Sequence, residues 1–407
     1  MCGSVRISGS KNAALPILSA ALLADGPCVI GNLPAIRDVA LTLEILVHMG
    51  CTVEWIDRTT CKIDAANAAP PRMPDPLTGS LRASAYFLGA GLGRFGEGRI
   101  GRIGGCDFGT RPIDQHVKAF RALGATVECT DGEVVVSAKE RLRGARILFD
   151  TVSVGATVNA MLAAVRAEGE TVLCRVAKEP HVVDLADFLN RLGADVRGAG
   201  SDEIRIKGVR RLHGAAYTII PDMIEAGTYL LAGAATRGAV RVLGAQTRDL
   251  APLTRSLRMM GADIDEEKDA ISVFAPGTLR STCVETGPHP AFPTDLQPQM
   301  TALLATVEGV GVVRETVWKN RFRYVDELQK MQAAITQREN ALTILGGRLH
   351  GAEVSVPDLR AGAALLIAAC AAEGESILRE AHWIERGYED VLTKMQSLGA
   401  DITVQEE

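Results

Sequence analysis

HMGCTVEW (48–55), ALGATVEC (122–129), RLGADVRG (191–198), MMGADIDE (259–266), KMQAAITQ (330–337) and SLGADITV (397–404) repeat one pattern. In each, an apolar helix end is followed by a residue suited to a left-handed helix cap, and then by the alternation of a strand. Glycine fills the cap position in five copies, and Gln332 is the one departure. The copies recur about every 70 residues, too long for common solenoid repeats and right for a βαβαββ unit. The chain is therefore read as six related α/β modules.

A second landmark lies upstream of each copy: an Ala/Leu-rich helix, a glycine and a short β-branched strand. The copies are NAALPILSAALLADGPCVI (12–30), RASAYFLGAGLGRFGEGRI (82–100), GATVNAMLAAVRAEGETVL (155–173), AGTYLLAGAATRGAVRV (226–242), MTALLATVEGVGVV (300–313) and AGAALLIAACAAEGESIL (361–378). Helices apolar nearly all round belong inside a domain. Each domain should hold helices within and sheets outside.

Unusual residues stand where these helices begin. The buried ones open at Lys11-Asn12, Arg82, Ser153-Gly155, Glu225-Gly227, Asp295 and Asp358-Arg360, and the second helix of each module at Arg37-Asp38, Arg111-Asp114, Glu179-Asp184, Arg248-Asp249, Arg321 and Arg386-Glu389. Asp and Ser are ordinary caps. Lys and Arg oppose the positive end of the helix dipole by a few tenths to ~1 kcal/mol each. Their repetition there points to bound anions, with helix N-termini of two three-module domains facing a common cleft suited to phosphates and carboxylates. The plainer alternative is solvated surface cations.

GGCDFGTRPID (104–114) sets one cysteine among glycines and an arginine five residues on. A thiol on a mobile loop beside a cation suits acid or nucleophile chemistry. A glycine turn carrying an incidental cysteine is the other reading. His116 follows ten residues later, but no Asn or Asp orienter accompanies it as a cysteine protease would require.

Composition narrows the class. With 407 residues, 47% hydrophobic, the chain has material for two or three domains. A net charge of -5 with dispersed cations excludes a nucleic-acid or anionic-membrane surface. Met1 to Leu15 lacks secretory-signal features, and the longest apolar runs are too short for a membrane span. Nine cysteines without a CxxC pair argue against a disulfide framework or a thiolate metal site and for a reducing compartment, the cytoplasm. Neither cofactor nor metal is expected.

The motifs SGSKNAALPI, LRASAYFLG, GGCDFGTRPIDQH, VSVGAT, HPAFPTDLQPQ, NRFRYVDEL, PDLRAGAALL and IERGYE, in this order along essentially the whole chain, closely resemble the UDP-N-acetylglucosamine enolpyruvyltransferases. The sister family making enolpyruvylshikimate phosphate is disfavoured, because it lacks the cysteine loop and carries a GNAGTA-type segment where this chain has GSLRASA. The resemblance implies a two-domain inside-out α/β barrel of six βαβαββ repeats, three per domain. Residues 11–219 would form one domain, and residues 1–10 with 220–407 the other.

The implied reaction moves the enolpyruvyl group of phosphoenolpyruvate to the 3′-hydroxyl of UDP-N-acetylglucosamine by addition and then elimination of phosphate, and the implied partners are those two substrates. By resemblance Cys106 delivers the proton to C3 and is the thiol that bonds covalently to the epoxide fosfomycin. Asp295 accepts the hydroxyl proton, with an N-cap on a helix from Leu296 as its plainer role. Asp358 is the second candidate base, or orients Arg360. Lys11, Arg111 and Arg386 match phosphate-side positions, and Arg321, Arg360 and Arg386 match the carboxylate side. For Arg321 a surface ion pair with Asp326-Glu327 is the alternative. Arg82, Asn12, Asp114, His116, Ser153, Val154, Gly155 and Val317 match substrate-binding positions. The protein is expected as a monomer or weak homo-oligomer.

Thr151, Met223, Arg37 and Gln115 depart from the commonest pattern, thinning the nucleotide-side charge. Two rival readings follow: an acceptor such as UMP in antibiotic biosynthesis, or a paralogue that binds nucleotide without catalysis.

Overall fold

The computed structural model describes residues 1–70, 82–101, 113–130 and 133–405. The chain divides into two compact units, one of Gly9–Ile220 and one of Met1–Ser8 with Pro221–Glu407. The division begins at Gly9 where the sequence reading set Lys11, and ends at Ile220 where it set Ile219.

Within Gly9–Ile220, the sheet of the first repeat runs Ala216–Thr218, Cys28–Gly31, Cys61–Asp64, Thr52–Trp55 in spatial order. The first pair is parallel and the other two are antiparallel. The same order recurs in Arg146–Leu148, Glu170–Cys174, Glu203–Lys207, Asp195–Arg197 of this unit. Its third sheet has three described strands, Glu97–Gly101, Glu133–Ser137 and Thr126–Thr130. The strand Ala216–Thr218 comes from the end of the segment and completes the sheet of its beginning, which closes the unit.

The other unit repeats the arrangement in Cys2–Arg6, Ala239–Leu243, Ala270–Phe274, Asp263–Glu266 and in Cys283–Glu285, Gly309–Arg314, Ala341–Gly346, Ala334–Arg338. Its third sheet is the parallel pair Glu353–Ser355 and Ile377–Arg379. The sixth copy of the repeated pattern was expected to end in a strand, yet residues 401–404 take none. In the five other repeats that segment is held by a hairpin partner, and without such a ladder an isolated extended segment has no hydrogen-bonding reason to be a strand.

The apolar helices lie inside. Lys11–Ala21, Tyr86–Phe95 and Val154–Ala164 pack together in one unit, and Met223–Ala235, Gln297–Ala305 and Leu359–Ala371 in the other. All nine residues of Gln297–Ala305 are buried. Gly89 shows how close the helices come, because a Cβ there would stand 2.5 Å from the Asn159 carbonyl oxygen. Asn159 uses that proximity: its Oδ1 accepts the Gly89 amide at 2.9 Å while its Nδ2 donates to the Gly155 carbonyl.

Side chains reveal the helix directions. Arg94, in the last turn of its helix, donates to the Ala24 carbonyl at 3.1 Å and pairs with Asp25; Arg166, just past its helix, donates to the Leu23 carbonyl at 2.7 Å and to Asp25 at 2.9 Å. Three C-terminal ends therefore gather at Asp25, and the N-terminal ends gather at the opposite end. In the second unit Arg237 donates to the Ala234 and Thr306 carbonyls, again joining C-terminal ends. Side-by-side parallel dipoles concentrate positive potential at the N-terminal ends.

The cap positions read from the sequence all adopt positive φ: 90° at Gly50, 96° at Gly124, 97° at Gly193, 98° at Gly261, 87° at Gly399 and 67° at Gln332. Only Gln332 has a Cβ that resists this conformation. Gln332→Gly is expected to stabilise the protein by about 0.5–1 kcal/mol, the relieved strain being partly offset by the freer unfolded chain. Urea denaturation reads the change, and a lower midpoint in the variant would refute the assignment.

Asp184, buried on the helix Pro180–Arg191, receives the Tyr217 hydroxyl and, at 3.3 Å, the Ile220 amide. Burial pushes its carboxyl up to about 6 despite these donors. Its folded pKa exceeds its unfolded one, so the contribution is fully present below pH ~4 and lost as pH rises through ~6, on the order of 3 kcal/mol. Asp184→Asn should flatten the stability profile between pH 4 and 6 by about that much, as measured by urea titration across pH. A slope unchanged from wild type would exclude Asp184 as its source.

Candidate active site

The unit containing Pro221–Glu407 builds its site from the N-terminal ends of its helices. The Pro-punctuated turn before Gln297–Ala305 contains the short 3-10 segment Thr294–Leu296, which presents Asp295. The loop after Gly309–Arg314 brings Arg321, and Arg360 is the second residue of Leu359–Ala371. Arg321 and Arg360 are each 5% exposed. Such buried cations demand an anion. Asp295 supplies it: Arg321 Nη2 lies 2.7 Å from its Oδ1 and Arg360 Nη2 lies 3.0 Å from its Oδ2.

Burial works to raise the Asp295 carboxyl, but the charges of Arg360 and Arg321 override it and hold the group well below the usual carboxylate range. Burial likewise works to lower Arg360, and the Asp295 charge more than offsets it. Asp295 is thus an ion-paired carboxylate. The helix begins at Gln297, not Leu296, and has no side-chain cap. Arg321 pairs with Asp295, while Glu327 of the nearby acidic pair binds Lys330 and the Ser355 amide.

Asp358 takes its plainer role, its Oδ1 accepting the amides of Arg360 and Ala361 at 2.9 and 3.1 Å. It fixes the first turn that carries Arg360. Arg386, 8% exposed, sets its guanidinium over the Trp383 ring, 5.4 Å from the centroid. Val317 is 37% exposed on the loop leading to Arg321.

Sequence reasoning missed Tyr388, although it lies within the IERGYE motif. Its hydroxyl meets Thr228 Oγ1 at 2.9 Å, accepts from Gln299 Nε2 at 3.1 Å and from Arg360 Nη1 at 3.4 Å. Thr228, Gln299 and Arg360 come from the three central helices. One phenol oxygen joins all three near their N-terminal ends and steadies the guanidinium.

In Gly9–Ile220, Lys11 begins its helix and its Nζ lies 2.7 Å from the buried Asp38 carboxylate. Asn12 follows it. The Ser153 Oγ caps the amide of Ala156 at 3.3 Å, opening the helix from Val154. Gly155 abuts His116, since a Cβ there would stand 2.7 Å from His116 Nε2. The structure therefore brings His116 to the Ser153-Val154-Gly155 turn. Asp114 accepts from Gln115 Nε2 at 2.9 Å, and Gln115 Oε1 accepts the Asp150 amide. Arg82 starts a 3-10 turn, Arg82–Ala85. Cys106, Arg111 and the Arg82 side chain lie outside the described residues.

A sequence profile described as EPSP synthase (3-phosphoshikimate 1-carboxyvinyltransferase) matches residues 1–395. UDP-N-acetylglucosamine 1-carboxyvinyltransferase 3 of Caldanaerobacter subterraneus is 48% identical over 98% of this chain and 96% of its own length. The chain belongs to the carboxyvinyltransferase family. The UDP-N-acetylglucosamine 1-carboxyvinyltransferase of Finegoldia magna is 45% identical over 98% of this chain and 95% of its own. Among solved structures, the enolpyruvyl transferase NikO from Streptomyces tendae aligns with a TM-score of 0.89 at 30% identity, covering 98% of this chain and 95% of that one. EPSP synthase from Acinetobacter baumannii, at 19% identity and a TM-score of 0.77 over 100% and 97% of the two chains, shares the fold. The profile is described by one acceptor, 3-phosphoshikimate, whereas the relatives at 45–48% identity are named for the sugar nucleotide.

Asp295→Asn leaves two buried guanidinium groups without their counter-charge and should cost about 3 kcal/mol. Because the Asp295 pKa is lowered, its contribution holds above the unfolded value of about 4 and fades only in stronger acid, so the gap from wild type should stay level from pH 5 to 9. Urea titration measures it. Millimolar phosphate should restore more stability to the variant than it adds to wild type, and equal gains would contradict the clamp.

Proposed function

We propose that this carboxyvinyltransferase moves the enolpyruvyl group of phosphoenolpyruvate to the 3′-hydroxyl of UDP-N-acetylglucosamine and releases phosphate, the first committed step of peptidoglycan synthesis. The observation that carries the reading is the pairing of half-buried Asp295 with the buried Arg321 and Arg360, which unites a proton acceptor with two donors for a substrate anion. The identity to relatives named for this reaction supports the choice of acceptor.

In this reading the 3′-oxygen attacks C2 of phosphoenolpyruvate as its proton passes to Asp295, and the Cys106 thiol protonates C3. Loss of a C3 proton with departure of phosphate then restores the double bond. Arg321, Arg360 and Arg386 receive the carboxylate, Lys11, Arg111 and Arg386 the phosphate, and Arg82 is a further active-site residue. With two guanidinium groups on it, Asp295 is a weak base. A substrate carboxylate that takes over donors of Arg321 and Arg360 loosens the clamp and raises its basicity, so the acceptor is activated when phosphoenolpyruvate is bound.

Asn12, Asp114, His116, Ser153, Val154, Gly155 and Val317 hold the nucleotide sugar, and Asp358 holds the first turn of the Arg360 helix. The reading sets a monomer or weak homo-oligomer in the cytoplasm, where both substrates are made. No described helix is long and apolar enough to cross a membrane.

Phosphate release from phosphoenolpyruvate should require UDP-N-acetylglucosamine, be blocked by fosfomycin, and fall by at least about 100-fold in Cys106→Ser at either the addition or the release step. Turnover on UMP in place of the sugar nucleotide would replace the proposed acceptor. No release with either would leave a binding protein.

A further inference from the structure

We propose that Glu315 is a positioning residue that sets the Asp295 turn and the Arg321 loop in one fixed relation, an inference resting on the function proposed above. Glu315 follows the strand Gly309–Arg314 and is 2% exposed. Its carboxylate is satisfied by hydroxyl and amide donors from two loops. Oε1 accepts the Val317 amide at 2.8 Å, the Trp318 amide at 3.0 Å and the Thr286 hydroxyl at 2.9 Å. Oε2 accepts the Thr294 hydroxyl at 2.8 Å.

These donors lie on either side of the reacting groups. Val317 and Trp318 lie on the loop that leads into Arg321, and Thr294 immediately precedes Asp295. Thr286 begins the loop that ends at Asp295, and it is tied again to the other loop because its Oγ1 accepts the Thr316 amide at 3.0 Å. The two loops thus share one buried carboxylate. The Arg321–Asp295 pair, made by the tips of the same loops, inherits its geometry from that link.

A carboxylate is suited to this task because one oxygen can accept several donors and both can act at once. Glutamine can nearly reproduce it. Its carbonyl oxygen replaces Oε1 for the three donors there, and its amide group donates to the Thr294 hydroxyl, which can accept as well as donate. A role in positioning therefore predicts tolerance of glutamine and intolerance of alanine. A role for the charge in chemistry predicts loss in both.

The experiment compares wild type, Glu315→Gln, Glu315→Ala and Thr294→Val in phosphate release from phosphoenolpyruvate with UDP-N-acetylglucosamine, with backbone amide exchange at residues 316–318 in the same proteins. We expect Glu315→Gln within about threefold of wild-type kcat and Glu315→Ala lower by about 100-fold, the scale of loss for an ångström of misplacement. Amide exchange at Val317 and Trp318 should be fast in Glu315→Ala and protected in Glu315→Gln. Thr294→Val removes only the arm to the Asp295 turn, keeps the protein's shape, and should lower kcat about tenfold while the KM for phosphoenolpyruvate changes little.

Glutamine as damaging as alanine in kcat, with exchange still protected, would overturn positioning in favour of the charge itself. Wild-type kcat in Thr294→Val would show that the link does not reach Asp295. If Glu315→Ala fails to fold, Glu315→Gln and Thr294→Val still decide the matter. A wild type that releases no phosphate defeats the proposed function separately, and exchange at 316–318 unaffected by Glu315→Ala then defeats the link.

Discussion

Two guanidinium groups buried beside the positive ends of parallel helices cannot persist without a negative charge. Arg321 and Arg360 are in that position, and Asp295 meets the need with one oxygen for each. Much of the surrounding structure serves that encounter. Asp358 caps the helix that carries Arg360, Tyr388 steadies its guanidinium, and the Asp295 turn is braced from below by Thr294. The same requirement makes the place receptive to any further anion that can share the guanidinium donors with Asp295.

The repeat explains why the cations collect there at all. Within each unit, every module sets the N-terminal end of its buried helix beside those of the unit's other two, and the C-terminal ends are tied off by arginines, Arg94 and Arg166 in one unit and Arg237 in the other. Carbonyl ends thus receive cations as their dipole favours. The N-terminal ends receive cations against that preference, and Asp222 and Asp358 as caps and Asp295 as a counter-charge moderate the conflict locally.

Much of this was legible in the sequence, for physical reasons that differ by residue. The left-handed caps were readable because a glycine at a fixed place after an apolar run marks a helix end that a Cβ would oppose, and Gln332 shows that the repeat imposes the conformation even where the residue resists it. The partner of Arg321 was harder to read. Sequence proximity offered Asp326-Glu327, but burial selected Asp295, 26 residues away. Tyr388 stands within a recognisable motif and its role was still invisible, because its hydroxyl meets Thr228 across 160 residues and that meeting exists only once three helices converge. The stretch after Gly399 was illegible for the opposite reason, as its local pattern is sound and, among the described residues, no strand pairs with it.

The Tyr388 hydroxyl also bears on how such a protein can change. Six modules of one pattern suggest parts that can be duplicated, exchanged or permuted independently. Yet this single oxygen is shared by residues of three modules, so its unit has a point where the repeats have lost their interchangeability. A substitution at Thr228, Gln299 or Arg360 alters the terms on which the other two are tolerated. The ancestry of the fold is modular, while the inheritance of its centre is joint.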